Sequence, residues 1–267
     1  MNKNSFNVFQ SLHSEPTPLL LPTAWDAASA ALFQCDGAKA VATSSAALAW
    51  SLGYADGGSL PRQELLAAIR RIVRVLQVPL TVDLEDGYSD SPVTVAELIW
   101  EVAQCGVAGI NLEDGANSAN LLTSKIAAAR HSLGTANLFI NARTDVFLRN
   151  LADGDAAIGM TIERLHHYKD AGADGAFVPG MSRIVDVHQV APEIGLPLNL
   201  MTVPGMPTID ALFAAGVRRV SAGPALFQSS YGQARLLAKK LLVNHDVSGL
   251  FDHSLSYDFM NSVFQAK

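Results

Sequence analysis

Cysteine is scarce in this 267-residue chain: Cys35 and Cys105 are the only two, and they show no paired motif spacing. That excludes a disulfide framework and a cysteine-rich metal site, and both residues are expected as buried free thiols in a reducing cytosol. Long apolar runs are missing as well. The stretch Leu19–Leu21 is too brief for the core of a signal peptide, and nothing approaches the ~20 apolar residues of a membrane span. A cytoplasmic protein with no membrane partner is expected. Charged residues make up only 16% of the chain, the net charge is −6, and lysine and arginine never cluster, so no nucleic-acid partner is expected either.

What the chain does have is a 49% apolar fraction, which suits a well-buried globular core. It also has a quasi-repeat. Cys35-Asp-Gly-Ala-Lys-Ala-Val41, Cys105-Gly-Val-Ala-Gly-Ile-Asn111, Ala171-Gly-Ala-Asp-Gly-Ala-Phe177 and Ala215-Gly-Val-Arg-Arg-Val-Ser221 share one grammar. Each closes an alanine-rich amphipathic stretch with glycine and passes within a few residues into a β-branched or aliphatic run. Helix, glycine stop and buried strand, repeated, spell parallel βα units.

The pattern places strands near 18–25, 38–45, 80–85, 109–113, 139–144, 175–180, 197–202 and 218–222, with helices between them. Residues 61–76 carry apolar side chains at helical period with Pro61 in the opening turn, and Thr94-Val-Ala-Glu97 has the spacing of a capping box at the start of the next helix. Eight strands alternating with helices predict a (β/α)₈ TIM-type barrel. No linker interrupts the chain, so residues 1–267 are read as one domain. Residues 226–267 then form a C-terminal helical extension. Its spare apolar residues, among them Leu250, Phe251, Phe259 and Phe264, suit a subunit interface, which predicts a homodimer or homotetramer.

Three predicted strands end in acid: Thr81-Val-Asp-Leu-Glu-Asp-Gly87, Gly109-Ile-Asn-Leu-Glu-Asp-Gly115 and Phe139-Ile-Asn-Ala-Arg-Thr-Asp145. Strand C-termini are where such barrels carry their active sites. Asp83, Glu85 and Glu113 therefore converge beside Arg143, and carboxylates that converge repel one another unless a cation intervenes. Oxygen ligands with no Cys or His favour Mg²⁺ or Mn²⁺. In the absence of a metal the same acids would be rim residues in ordinary ion pairs. Trp25 and Tyr88 stand near the same rim, either lining a substrate pocket or packing it.

These segments, with Pro22-Thr-Ala-Trp-Asp26, Ala42-Thr-Ser-Ser45 and Leu52-Gly-Tyr-Ala-Asp56, resemble the isocitrate lyase/phosphoenolpyruvate mutase superfamily over most of the chain. The resemblance implies Asp83 as direct Mg²⁺ ligand, Glu85 and Glu113 as holders of the metal's waters, and Arg143 as the clamp on a substrate carboxylate. It implies backbone N–H groups of Ser44, Ser45 and Ala46 on substrate oxygens, and Asp56 as a loop acid near the substrate, although Asp-Gly-Gly is also a plain turn. It further implies a tetramer that exchanges a helix between subunits.

Two departures narrow the reading. The Lys-x-Cys-Gly-His loop of the lyases is replaced by Gly115-Ala-Asn-Ser-Ala-Asn-Leu-Leu-Thr-Ser124, and the strand-six histidine of the mutase and phosphonopyruvate hydrolase branch by Phe177-Val-Pro-Gly180. None of the seven histidines falls at a predicted strand end. A metal, an arginine and oxyanion donors, with few groups for proton transfer, suit a Mg²⁺-dependent carbon–carbon lyase acting on a small 2-oxo or 2-hydroxy carboxylic acid. Decarboxylation and retro-aldol cleavage both end in an enolate of pyruvate type. Phosphonopyruvate carbon–phosphorus chemistry and a non-catalytic, metal- or ligand-binding role are the alternatives.

Overall fold

The computed structural model describes residues 3–265. Its nine strands are β1 (Leu19–Leu21), β2 (Thr23–Ala24), β3 (Val41–Thr43), β4 (Leu80–Asp83), β5 (Gly109–Glu113), β6 (Phe139–Arg143), β7 (Gly175–Phe177), β8 (Leu198–Met201) and β9 (Val217–Ser221). All neighbours pair in parallel, in the order β1-β9-β8-β7-β6-β5-β4-β3-β2. The sheet is a nearly closed barrel of TIM type. Its first predicted stave is split: β1 pairs with β9 and β2 with β3. Pro22 lies at the break, where its missing N–H costs the ladder nothing. Its carbonyl still accepts from Ala42 N at 3.0 Å.

Alternation along each strand divides inside from outside. Ile110, Leu112, Ile140 and Ala142 belong to the large core shared with the surrounding helices. Their neighbours Asn111, Glu113, Asn141 and Arg143 take the other face, the barrel lumen. A helix not expected from the sequence, α1 (Lys3–Leu12), plugs the N-terminal end: Phe9 and Leu12 pack with Leu19, Leu21, Ala40, Ala42 and Phe139. His13 lies there too, stacked on Phe139 at 4.4 Å. Burial, then the nearby Arg219 charge, pushes its imidazole down to about 3, so it sits neutral in an apolar plug.

The outer helices are α2 (Ala27–Cys35), α3 (Ser45–Ser51), α4 (Arg62–Val75), α5 (Pro92–Gln104), α6 (Ala119–Leu133), α7 (Gly154–Asp170), α8 (Ile184–Ile194) and α9 (Ile209–Ala214). The glycine stops hold, since Gly37, Gly106, Gly172 and Gly216 all have positive φ. Helix α5 starts earlier than its predicted capping box: Ser91 is the cap, accepting from Thr94 N, and Pro92 fills the first turn, where no N–H is needed. The cysteines are free, but Cys35 is exposed and Cys105 half-buried rather than buried, because each falls at the solvent-facing end of its helix.

The extension holds α10 (Ala225–Asn244) and α11 (Tyr257–Gln265). The last two residues of the 226–267 segment lie outside the described residues. In α10 only Phe227 is buried, and Leu242, Phe251 and Tyr257 are 75%, 82% and 82% exposed. No helix among the described residues is long and apolar enough to cross a membrane.

Candidate active site

The register of the central strands sets the geometry. Asp83 is paired with Asn111, Asn111 with Asn141, Glu113 with Arg143, and Arg143 with Phe177. One row across the C-terminal rim therefore runs acid, guanidinium, aromatic ring. Arg143 Nη1 lies 2.6 Å from Glu113 Oε2, and its guanidinium carbon sits 5.6 Å from the centre of the Phe177 ring. Its Nε and Nη2 fork onto Asp145 at 2.7 and 3.1 Å. Burial works against the charge on Arg143, but Glu113, Asp83 and Asp145 outweigh it and hold the group above its ordinary pKa.

Asp83 is buried. Its Oδ2 accepts from Ser45 Oγ at 3.1 Å, its Oδ1 accepts from Glu85 N at 3.3 Å, and Ser45 also gives it a backbone N–H. The helix α3 N-terminus, capped by Ser44, is thereby tied to the acid at the end of β4. Burial raises the Asp83 carboxyl despite Arg143 beside it. Glu85 is pushed up to about 7 by burial and then by Asp83 and Asp56, with the Tyr88 hydroxyl and Gly58 N–H opposing. Glu113 is pushed up to about 8 by burial, with Arg143 opposing and the acids Asp83, Asp145 and Glu85 adding to the rise. These three carboxylates are thus crowded and short of water, the condition a cation relieves.

The loop after β4 is strained where these acids turn. Glu85 and Tyr88 adopt left-handed φ of 51° and 60°, each a cost of order 1–3 kcal/mol that persists only under constraint. One constraint is Lys125, fully buried on α6, whose Nζ donates to the Asp86 carbonyl at 2.8 Å. The sequence reading missed Lys125. Its only signal was a lysine in helical phase with the core residues Leu122, Ile126 and Ala129.

Asp114 is not part of the acid cluster. Buried, it accepts from Thr144 Oγ1, Arg164 Nη1 and Tyr168 Oη, each at 2.7 Å, and from Asp145 N at 2.9 Å. It ties the end of β5 to the β6 loop and to α7. Under the rim, Arg219 crosses the lumen to donate to Asn111 Oδ1 at 3.2 Å, and Asn141 donates to the same oxygen at 2.9 Å. Burial pushes Arg219 down to about 9, with Asp83 opposing.

A cavity of about 170 Å³ opens over this floor, lined by Ser44, Ser45, Ala46, Asp56, Asp83 and Arg143 among others. Six of the expected residues are therefore brought together. Glu85 and Glu113 are not on its wall. They open instead into an adjoining cleft with Tyr88 and Arg149; for Glu85 the left-handed turn redirects the chain, while Glu113 ends β5 and turns to Arg143 Nη1. Trp25, expected against substrate, does not line the cavity either. Its ring packs edge-on to Phe33 and Phe227, at 6.1 and 5.4 Å, because the turn held by Ser29 Oγ on Trp25 N aims it at that apolar cluster.

The residues fit a hydrated cation better than a stripped one. Among the described residues no group of three acids, imidazoles or thiols is close enough to hold an ion by direct contact. A direct bond from Asp83, with Glu85 and Glu113 acting through water, needs no such group, and the all-oxygen donor set suits a hard ion that dehydrates reluctantly.

Fold and rim together define a TIM-type α/β barrel with an acid- and arginine-bearing C-terminal face. The chain belongs to the phosphoenolpyruvate phosphomutase family, whose model matches residues 9–242. It is 38% identical over 219 residues to an uncharacterized protein of Mycobacterium tuberculosis, covering 80% of this chain and 81% of that one. It is 31% identical over 196 residues to the 2-methylisocitrate lyase of Salmonella typhimurium, with 68% and 66% covered. An oxaloacetate decarboxylase of Pseudomonas fluorescens is 30% identical over 179 residues, 64% of this chain and 62% of the relative. A solved structure from Burkholderia cenocepacia, described provisionally as a lyase/mutase, superposes with a TM-score of 0.89 at 30% identity, covering 98% of this chain and 96% of that one.

Proposed function

We propose that this protein is a Mg²⁺-dependent carbon–carbon lyase that cleaves a small 2-oxo or 2-hydroxy carboxylic acid through an enolate of pyruvate type. The observation that carries this reading is the convergence of Asp83, Arg143 and the Ser44–Ala46 segment on one small cavity at the strand ends. Asp83, Glu85 and Glu113 would hold the cation, with Mn²⁺ as a substitute. A divalent cation there supplies Lewis acidity, worth several kcal/mol at a developing enolate oxygen. Arg143 offers the substrate carboxylate the N–H groups left over from its Asp145 fork and its Glu113 contact. Ala46 N–H, in the first turn of α3, has no helical acceptor and would donate to a substrate oxygen in the cavity that Ala46 lines.

Decarboxylation asks little more of the chain. The C3–C4 bond breaks, its electron pair moves onto the C2 oxygen, and CO₂ leaves without a proton transfer. A proton taken up at C3 completes pyruvate. Retro-aldol cleavage additionally requires a base for the hydroxyl proton, and Asp56 is the one carboxylate on the cavity wall besides Asp83. The test is a panel of oxaloacetate, 2-methylisocitrate, dimethylmalate and phosphonopyruvate, with and without Mg²⁺. Metal-dependent release of pyruvate or another 2-oxo acid is expected. Phosphate from phosphonopyruvate would select carbon–phosphorus chemistry instead, and binding without any product would make the protein a non-catalytic member of its family.

Arg143→Lys separates a substrate clamp from a structural ion pair. Lysine keeps the charge but has a single nitrogen where Arg143 spans Asp145, Glu113 and the substrate carboxylate, so kcat/KM on the confirmed substrate should fall roughly 10- to 150-fold, the equivalent of one charge-assisted hydrogen bond of about 1.5–3 kcal/mol. Because lysine keeps the positive charge beside Glu113 and Asp83, Mg²⁺ affinity should change less than kcat/KM does. Unchanged kcat/KM would sink the clamp assignment.

We also propose that copies of the chain associate through the extension, as a homodimer or homotetramer in the cytoplasm. Two features support this: the exposed apolar residues of α10 and α11, and a cavity of about 480 Å³ outside β1, lined by Leu12, Leu19, Leu20, Pro22, Phe33 and Leu226. Removing residues 226–267 should make the protein insoluble or change its size in solution. A full-length monomer by light scattering at micromolar concentration would overturn the proposal.

A further inference from the structure

The cavity wall is divided by charge. Its β3, β4 and β5 side presents Thr43, Ser44, Ser45, Asp83 and Asn111, and its β6–β8 side presents Leu148, Phe177 and Met201. Arg143 stands at the boundary over the Phe177 ring and, among the described residues, is the only cation on the wall.

The apolar side is built by close packing. Gly180, at φ +85°, lets the loop after β7 press on the Leu148 turn; a Cβ there would stand 2.9 Å from Leu148 N and 3.0 Å from its Cα. Gly223, at φ +58°, gives Met201 its place, since a Cβ there would meet Met201 Sδ at 2.7 Å. Both glycines therefore hold positions that a side chain would disturb.

Resting on the lyase reading above, we propose that Leu148, Phe177 and Met201 form the subsite for the C3 side of the substrate, and that this subsite selects acids whose C3 side is uncharged. Arg143 holds one carboxylate, and the C2 oxygen turns toward Asp83 and Ala46. The rest of a small acid then meets these three side chains. A second carboxylate there would lie against these apolar side chains, and the nearby Thr23 and Ser221 hydroxyls already donate to Gly223 O and to Asn199 Oδ1 or Leu200 O, a penalty that alkyl groups escape. Of the two cleavages, the subsite therefore favours the retro-aldol kind, which needs no charge on the C3 side, over decarboxylation, whose substrate must carry a carboxylate there. Tricarboxylic substrates are excluded, because at least one further carboxylate would lack a partner.

The experiment is calorimetric and independent of turnover. Oxalate, malate and 2-hydroxy-4-methylpentanoate are titrated into the Mg²⁺-loaded protein. The last two differ chiefly in an isopropyl group standing where malate has its second carboxylate. Oxalate reports the metal and Arg143 alone and should bind. The isopropyl acid should bind roughly 10-fold or more tighter than malate. Met201→Lys, at a half-buried position, and Leu148→Lys, at an exposed one, should each narrow or invert that preference and leave oxalate affinity within about 2-fold. Loss of oxalate binding in the parent overturns the lyase reading and this subsite with it. Oxalate bound but malate preferred or equal overturns the subsite alone, as does an unchanged preference in both lysine variants.

Discussion

Asp83→Ala should abolish Mg²⁺ binding and leave the barrel folded. The carboxylate lies at the end of β4, faces Arg143 and accepts from Ser45 and Glu85 N–H groups, so its removal deletes the proposed direct ligand. The cost to folding should be small because the carboxylate is buried beside other acids. Burial raises the Asp83 carboxyl in spite of these donors and of Arg143, so its ionised form is disfavoured by the fold on balance. Deleting it removes an unfavourable buried charge together with the Ser45 and Glu85 contacts, so the two effects oppose each other. Asp83→Asn, which keeps the shape and one acceptor oxygen, should behave alike. Calorimetric titration with Mg²⁺ and a thermal melt of each variant check both halves. Parent-like Mg²⁺ affinity in Asp83→Ala would remove Asp83 from the metal site.

For Asp114→Ala the expected result is the opposite kind, a large loss of stability. Four donors converge on that carboxylate, among them Arg164, whose side chain is only 14% exposed, and the buried Tyr168 hydroxyl. Alanine leaves a nearly buried guanidinium and a phenol without their acceptor. Breaking a buried pair in this way costs about 3–5 kcal/mol. For a chain of this length that corresponds to a fall in Tm on the order of 10 °C. Asp145 N–H also loses its acceptor, so the Asp145 fork that orients Arg143 should loosen and activity should fall with stability. Asparagine retains one acceptor oxygen and should cost less. A melting temperature within about 2 °C of the parent for Asp114→Ala would show that the hub contributes little.

These outcomes separate two kinds of acid that look alike in the sequence. Leu-Glu-Asp-Gly occurs twice, and each copy supplies a glutamate to the crowded rim. The aspartates diverge. Asp86 offers its carbonyl to Lys125, and Asp114 binds Arg164 and Tyr168 some 50 residues on. No local spacing could have distinguished them, because the difference lies in what the next helices bring across.

The barrel was legible from the chain because its causes are local. Strand alternation, helical period and a glycine stop after the helix each act over a few residues, and together they leave a parallel ring as the way to bury both faces of every βα unit. Strand-end charges were legible for the same reason: Asp83, Glu113 and Arg143 end predicted strands, and all end up at the rim. The structure decided how those residues face one another. Pro22 lay where the first stave splits, Glu85, through its left-handed turn, and Glu113 opened into a separate cleft, and Trp25 turned into an aromatic cluster. Arg219, Lys125 and the Leu148–Phe177–Met201 wall came from the packing alone. Each depends on strands or helices distant in sequence meeting at one height in the lumen, and register across a barrel is set by the whole ring and not by any one segment.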